Sequence, residues 1–286
     1  MLEAGAPGAA LLGLLGLMVG SFLNVVIHRL PKMMELRWEA ECAELQASDE
    51  TPASTSSEPE TFNLMLPRSR CPHCGHQIRW FENIPVFSYL ALRGKCSQCS
   101  APISRRYPAV ELATAALFAW CGWHFGLGWE ALAWCGFSAA VLALAGIDWD
   151  TTLLPDDITL PLLWAGLCAA GLRITDTLLP DALWGAVAGY VSLWLVYWAF
   201  KIVTGKEGMG YGDFKLFAAF GAWFGWQALI PVILMASLIG AVIGIAIKLK
   251  GHLREGGYVP FGPFLALAGL TSMVFGPSAI LAAIGL

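Results

Sequence analysis

Long apolar segments alternate with short polar ones along most of this 286-residue chain. A helix that crosses a bilayer needs about 20 predominantly apolar residues. Eight segments approach that length, and the sixth of them is short for a complete span. The segments cover approximately residues 8–27, 108–126, 129–147, 158–175, 179–203, 214–228, 230–248 and 261–284. The pattern therefore predicts an all-α polytopic membrane protein with about eight transmembrane helices.

A large polar region, residues 28–106, separates the first apolar segment from the second. Within it, residues 46–62 are rich in Ser, Thr, Glu and Pro, and this composition predicts a loose, flexible loop. The first apolar segment lacks a basic leader, so we expect a retained helix and not a removed signal peptide. The predicted organisation is a first transmembrane helix in 1–27, a small polar domain in 28–106 and a seven-helix membrane domain in 107–286.

Composition and charge support this organisation and orient it. The chain is 57% hydrophobic and 13% charged, whereas soluble proteins carry about 25% charged residues. Eight alternating spans place 16 of the 17 Lys and Arg residues on the side of residues 28–106, with Arg173 as the exception. Because cytoplasmic loops carry the excess of Lys and Arg, that side is predicted to be cytoplasmic. The net charge of −4 gives no indication of a nucleic acid partner.

Four cysteines in the polar domain have the spacing of a metal site. Cys71 and Cys74 form one C-x2-C pair, and Cys96 and Cys99 form a second. Four thiolates complete the tetrahedral coordination of Zn²⁺ with no open position, which indicates a structural and not a catalytic metal. Two disulfides are disfavoured by the reducing cytoplasm, and four free thiols are the remaining alternative. A zinc ion would stabilise a domain too small to bury much core of its own.

Two aspartates lie where apolar segments meet polar ones. Asp148 follows Ile147 at the end of the third apolar segment, and Asp213 follows Gly212 at the start of the sixth. Both fall on the predicted cytoplasmic side. Two carboxylates held close together share one proton, which provides a general base to activate water and a general acid to protonate a leaving group. The pair is therefore a candidate catalytic dyad of the aspartic protease type.

Structural explanations compete with this hypothesis. Asp213 could be only the N-cap of the next helix, since Asp favours that position. Asp156 or Asp157, after Pro155, could likewise cap the helix that is predicted near residue 158. Asp150 competes with Asp148 as the partner of Asp213. Positions i and i+2 of a helix point to different faces, so only one of these two should face Asp213.

Other residues are candidates for supporting roles. Gly210 and Gly212 allow another backbone or a peptide to approach closely, and Lys215 and Asp150 are the remaining polar candidates near the two aspartates. Glu111 lies about one turn into the second apolar segment, where an ionisable group indicates a function by default. The alternative for Glu111 is a structural hydrogen bond to nearby backbone or to Asn24.

With these residues identified, the chain resembles the bacterial type IV prepilin peptidases, over nearly its whole length. The resemblance implies that Asp148 and Asp213 are the catalytic dyad of a GxGD-type intramembrane aspartic protease. It rests on the motifs Gly20-Ser21-Phe22-Leu23-Asn24-Val25-Val26-Ile27-His28-Arg29-Leu30-Pro31, the two C-x2-C pairs, Arg106-Tyr107-Pro108 with Glu111, Ile147-Asp148, Leu153-Leu154-Pro155-Asp156, Gly210-Tyr211-Gly212-Asp213 and Pro260-Phe261-Gly262-Pro263.

The resemblance also implies substrates and a second activity. Prepilins of type IV pili and pseudopilins of type II secretion would lose a basic leader after a glycine, at the cytoplasmic face of the bacterial inner membrane. The new N-terminal residue, often Phe, would then be methylated from S-adenosylmethionine. Family members without the cysteine block tend to lack methylation, so its presence favours both activities. No Rossmann-type glycine pattern is found, so no residue is assigned to the methyl donor.

A transporter that relays protons or binds cations through buried carboxylates is the alternative function. The positions of the acids at one face, and not in the middle of a span, argue against it. No inverted repeat is evident in the sequence either.

Overall fold

The computed structural model describes residues 2–47, 62–249 and 259–283. These residues form α-helices, two short 3₁₀ helices and loops, and no β-strand occurs among them. The all-α prediction is confirmed. The helices of the described residues are α1 (Leu2–Ala47), α2 (Phe87–Ala91), α3 (Arg106–His124), α4 (Trp129–Thr151), α5 (Asp156–Gly171), α6 (Leu179–Thr204), α7 (Tyr211–Phe224), α8 (Leu229–Leu249), α9 (Gly262–Phe275) and α10 (Pro277–Ala283).

By length and composition, four helices of the described chain could cross a membrane. They span Gly5–Leu45, Trp129–Thr151, Leu179–Thr204 and Trp226–Leu249. The other apolar segments lie in α3, α5, α7 and α9, which are 14 to 19 residues long. The chain is therefore an all-α membrane protein, and the count of eight complete spans stays a prediction.

Two apolar segments differ in detail from their predicted form. The segment 261–284 is not one helix, because α9 ends before Gly276, which has a φ of 81°, and Pro277 begins α10. Proline fits the first turn of a helix but cannot continue one. The segment predicted at 214–228 begins earlier, at Tyr211, and its α-helix ends at Phe224. Asp213 is thus part of α7.

Helix α1 continues well beyond the predicted end of the first transmembrane segment. Residues 28–47 remain helical because they are rich in Glu, Leu, Met and Ala, which favour helix strongly. The polar domain that was predicted to start at residue 28 therefore begins inside a continuous helix. Of the loop predicted at 46–62, residues 48–61 lie outside the described residues.

The chain divides into two compact units. One contains Leu14–Ala116 and the other contains Met1–Gly13 and Leu117–Leu286. The first unit holds the four paired cysteines and Glu111, and the second holds Asp148 and Asp213. The two sets of candidate residues thus belong to different units.

Helix α7 lies in the core of the second unit. Its residues Phe217 and Phe220 are almost completely buried. The indole N–H of Trp223 donates a hydrogen bond to the carbonyl of Leu162 at 2.8 Å, and the hydroxyl of Thr177 donates to the carbonyl of Trp223 at 2.7 Å. These contacts hold the C-terminal end of α7 against its neighbours.

Candidate active site and candidate metal centre

Asp148 lies in the last turn of α4 and is buried, with 5% of its surface exposed. Leu144, one turn earlier on the same helix face, is fully buried, so this face is directed into the protein. Thr152 ends the helix with a φ of 56°, and its N–H donates to the carbonyl of Asp148 at 2.9 Å. The carboxyl group is therefore carried at the very end of an apolar helix.

Asp213 lies in the first turn of α7, and 6% of its surface is exposed. The N-cap of α7 is Gly210, so Asp213 is not the N-cap residue itself, but its carboxylate has a capping role at the third position of the helix. The N–H of Gly210 donates to Oδ2 of Asp213 at 3.2 Å. Oδ1 of Asp213 is buried and has no hydrogen-bond partner among the described residues. One carboxylate oxygen is thus held by the backbone and the other is left for a water or a substrate.

The two aspartates line the same small cavity, although 65 residues separate them in sequence (213 − 148). The cavity has a volume of about 90 Å³, which is room for a few water molecules. Its other walls are formed by Thr152, Leu154, Gly210, Gly212, Pro260 and Phe261. The predicted pair therefore lines one cavity that can hold the water needed for hydrolysis.

The neighbouring polar residues take other positions. Asp150 is exposed and does not line the cavity. Asp156 and Asp157 lie in the first turn of α5, where Pro155 occupies the N-cap, so neither is that helix's N-cap residue. The ammonium group of Lys215 contacts both carboxylate oxygens of Asp156, at 2.6 and 2.7 Å. This ion pair joins the start of α5 to α7, next to Asp213.

The four paired cysteines converge in the first unit. Their Sγ atoms all lie within 4.8 Å of one another. The Sγ atoms of Cys71 and Cys99 are 3.8 Å apart, and those of Cys74 and Cys96 are 4.0 Å apart. A tetrahedral site with Zn–S bonds of about 2.3 Å requires S–S separations of about 3.8 Å. A disulfide would require about 2.05 Å. The donor set therefore fits a zinc ion and does not form the two disulfides.

The two cysteine pairs lie in two equivalent loops, related by a shift of 25 residues (96 − 71). In each loop the backbone N–H of the first cysteine donates to the carbonyl of the residue five positions later. Cys71 donates to His76 and Cys96 donates to Ala101, both at 2.8 Å. Gly75 and Ser100 both have positive φ, 71° and 57°. The equivalence shows that both pairs are presented to the centre in the same way.

Glu82 connects the two loops from the side. Its carboxylate accepts the backbone N–H of Arg79 at 2.8 Å and contacts the ring of His76 at 3.2 Å. Hydrogen bonds from the N–H of Arg79, from Ser97 and from His76 lower the pKa of Glu82 to about 2. The carboxylate is thus ionised at neutral pH and ties residues of both loops together.

Two models of known protein families together match most of the chain. The model of the Bacterial Peptidase A24 N-terminal domain matches residues 14–125, and that of the Type IV leader peptidase family matches residues 135–245. The chain belongs to the type IV leader peptidase family. It is therefore an enzyme of a protease family, which favours the peptidase hypothesis over the transporter. No solved structure matches the chain.

Proteins from several bacteria are similar to this chain over most of their length. A protein of Pseudomonas aeruginosa is 54% identical over 263 residues, which cover 92% of this chain and 89% of the relative. One of Burkholderia pseudomallei is 52% identical, with 92% and 84% covered. One of Aeromonas hydrophila is 51% identical, with 94% and 91% covered. Each is named prepilin leader peptidase/N-methyltransferase.

Glu111 lies in the part of the leader peptidase that matches the N-terminal family model. It is buried, and its carboxylate accepts the backbone N–H of Val86 at 2.7 Å. The amide of Asn24 donates to the carbonyls of Gly20 and Tyr107. A structural hydrogen bond to backbone is therefore present at Glu111, which also lines a cavity of about 610 Å³ in the first unit.

The sequence did not reveal the contribution of the 260–263 motif to the small cavity that Asp148 and Asp213 line. Pro260 and Phe261 line the cavity. Gly262 lies so close to Asp148 that a Cβ at this position would be 2.5 Å from Oδ2 of the aspartate. The signal was present as a Pro-Phe-Gly-Pro motif, but only the packing of α9 against α4 shows which residue it serves.

Proposed function

We propose that this protein is a membrane-embedded aspartic endopeptidase that removes the basic leader of type IV prepilins and pseudopilins. The observation that carries the proposal is the small cavity that Asp148 and Asp213 share. The printed names of the relatives support prepilins as the substrate class. Cleavage takes place after a glycine, at a Gly–Phe-like junction.

The dyad performs hydrolysis with one water molecule. The two carboxyl groups hold one proton between them, because both cannot ionise in so small a space. The ionised aspartate accepts a proton from the water as its oxygen attacks the peptide carbonyl carbon. The protonated aspartate then donates its proton to the leaving nitrogen. The N–H of Gly210, which donates to Asp213, orients that carboxylate for its part in the exchange.

The proposal includes a site at the cytoplasmic face of the bacterial inner membrane. Support comes from the distribution of Lys and Arg, 16 of which fall on the side of Asp148 and Asp213. Asp148 ends one apolar helix and Asp213 begins another. A substrate whose leader stays in the cytoplasm would present its junction where its own apolar helix enters the bilayer.

The proposal includes N-methylation of the new N-terminal residue, in line with the names of the relatives. S-adenosylmethionine supplies the methyl group when bound, as a sulfonium donor. Cys71, Cys74, Cys96 and Cys99 would hold a structural Zn²⁺, which has no open position for chemistry. The metal would fix the fold of the polar part of the first unit.

Replacing one zinc ligand tests the metal assignment. Cys71→Ser is expected to weaken zinc binding by about 100-fold or more, since it removes one of four thiolates. Zinc per chain, measured by mass spectrometry after dialysis under reducing conditions, gives the result, and limited proteolysis reports the loosened fold. Cys42→Ser, at an exposed cysteine of α1 outside the cluster, is the control. Wild-type protein that holds no metal would refute the assignment.

Cleavage of a defined substrate tests the main proposal. Purified protein in detergent is mixed with a prepilin that carries a basic leader and a Gly–Phe junction, with and without S-adenosylmethionine. Mass spectrometry is expected to show a leader-sized loss, and one added methyl group only when the donor is present. Cleavage without addition of a methyl group would refute the methyltransferase activity. A prepilin that stays intact in the presence of folded enzyme would refute the peptidase activity.

A further inference from the structure

The first unit contains a cavity of about 610 Å³ that the peptidase does not use. It lies between the middle of α1, the first turns of α3 and the loops that carry the four cysteines. Its volume is in the range of sites for cofactors and small molecules, about 300 to 1,000 Å³. All residues that line it belong to the unit Leu14–Ala116.

The walls of this cavity carry charges of both signs. Glu111 lies at the end formed by α1 and α3, and its carboxylate is buried. Lys32 and Arg68 also line the cavity, and both are exposed. Arg29 is different, because its guanidinium already donates to the backbone carbonyls of Asn63 and Pro67, at 2.9 and 2.6 Å. The guanidinium of Arg29 therefore serves to hold the wall formed by residues 63–67, and it is not counted among the groups available to an occupant.

Aromatic rings complete the lining. Tyr89 and Tyr107 both face the cavity, and aromatic faces of this kind stack on nucleobases. An occupant would thus meet aromatic rings, one buried carboxylate and cationic side chains in the same cavity.

We infer that this cavity binds S-adenosylmethionine, with Glu111 facing the sulfonium and Arg68 facing the carboxylate of the donor. The inference rests on the proposed methyltransferase function and gives that function a site. A purely anionic occupant would be repelled by Glu111, and a basic leader peptide would be repelled by Lys32 and Arg68. A molecule with a nucleobase, a fixed cation and a carboxylate has a partner for each kind of wall residue: the aromatic rings, the carboxylate of Glu111 and the cationic side chains.

Equilibrium dialysis of the full-length, zinc-loaded protein in detergent tests the inference. The probes are radiolabelled S-adenosylmethionine and S-adenosylhomocysteine, which lacks the sulfonium charge. Glu111→Gln keeps an oxygen for the N–H of Val86 and is expected to weaken S-adenosylmethionine binding by about 10-fold or more, because a buried charge partner is lost. Binding of S-adenosylhomocysteine should fall much less, so the preference for the charged donor disappears.

Arg68→Gln provides a second, independent variant. It is expected to weaken both probes by about three- to tenfold, since its charge meets a carboxylate that both probes carry. Arg93→Gln removes a cation of the same unit that does not line the cavity, and it should bind both probes as wild type does. Zinc content and gel-filtration elution establish that each variant is folded. If one variant fails to fold, the other carries the test.

The outcomes separate this inference from the proposed function. Wild-type protein that binds the donor, together with folded variants that bind it equally well, would place the donor site elsewhere and leave the methyltransferase intact. Wild-type protein that neither binds the donor nor transfers a methyl group would overturn the methyltransferase and, with it, this site. Selective loss of the donor in Glu111→Gln would establish the cavity as the site.

Discussion

Replacement of either aspartate of the small cavity by asparagine is expected to abolish leader cleavage. Asp148→Asn and Asp213→Asn keep the shape of the side chain but remove the group that accepts or donates the proton. Because general acid–base catalysis alone contributes about 10²- to 10⁴-fold, each change should cost on the order of 10³-fold in rate. The measurement is the initial rate of leader loss from a prepilin, followed by mass spectrometry.

The double variant gives a sharper test of the dyad. If the two carboxyl groups work on one water molecule, either single change already stops the reaction. The double variant should then be no slower than the single variants, since residues that act as a unit are not additive in their effects. If the rate loss of the double variant equals the product of the two single losses, the aspartates contribute independently, which would contradict a shared site.

Asp150→Asn is the matched control for these variants. Asp150 follows Asp148 by two residues, but it is exposed and lies outside the cavity lining. Its replacement changes the charge near the site by the same amount and should leave cleavage within a few-fold of wild type. Substantial cleavage by both Asp148→Asn and Asp213→Asn would sink the dyad assignment, and loss in Asp150→Asn alone would transfer the role to that residue.

Hydrophobic patterning predicts the helices of this protein well, because a membrane helix must be apolar along its whole length. Each of the eight apolar segments corresponds largely to helix in the described chain, and only the last of them is divided between two α-helices, α9 and α10. The same patterning misses the continuation of α1 to Ala47, since helix formers after residue 27 are polar as well as apolar. It also misses the break at Gly276, where two short apolar helices have the composition of one long helix.

The chemistry-bearing residues of the site could be identified from sequence because their types are costly where they occur. A carboxylate at the end of an apolar segment indicates a functional site, and two C-x2-C pairs indicate a metal site. The residues that shape the site could not be identified in this way. Phe261 and Gly262 are apolar or small, and their contact with the Asp148 site depends on how α9 packs against α4.

The repeat of the two cysteine loops shows a further limit. Their sequences share little beyond the cysteines, and Gly75 corresponds to Ser100. The common feature is a backbone one, a residue with positive φ after each pair. Glycine reaches that conformation easily and serine does so at a cost. The residue types therefore do not reveal that the two loops have the same backbone conformation, and the structure does.

Two glycines of the same motif are expected to respond very differently to alanine. At Gly212 a new Cβ would lie 2.6 Å from the Cβ of Leu154, which is fixed to the backbone and cannot rotate away. The first turn of α7 must therefore shift, and Asp213 is the next residue. At Gly210 the nearest atom to a new Cβ is Oδ2 of Asp213, at 3.8 Å, and the φ of −84° suits alanine.

Gly212→Ala should therefore lower the rate of leader cleavage by about 100-fold, since a misplacement near 1 Å in a catalytic group has that effect. Gly210→Ala retains the N–H that donates to Asp213 and should stay within about threefold of wild type, because ordinary van der Waals contact adds no strain. Initial rates and thermal unfolding of both variants are compared. Leu154→Gly, combined with Gly212→Ala, removes the clashing Cβ and should restore part of the lost rate. Equal losses in the two alanine variants would show that the glycines act through backbone freedom and not through the space beside Leu154.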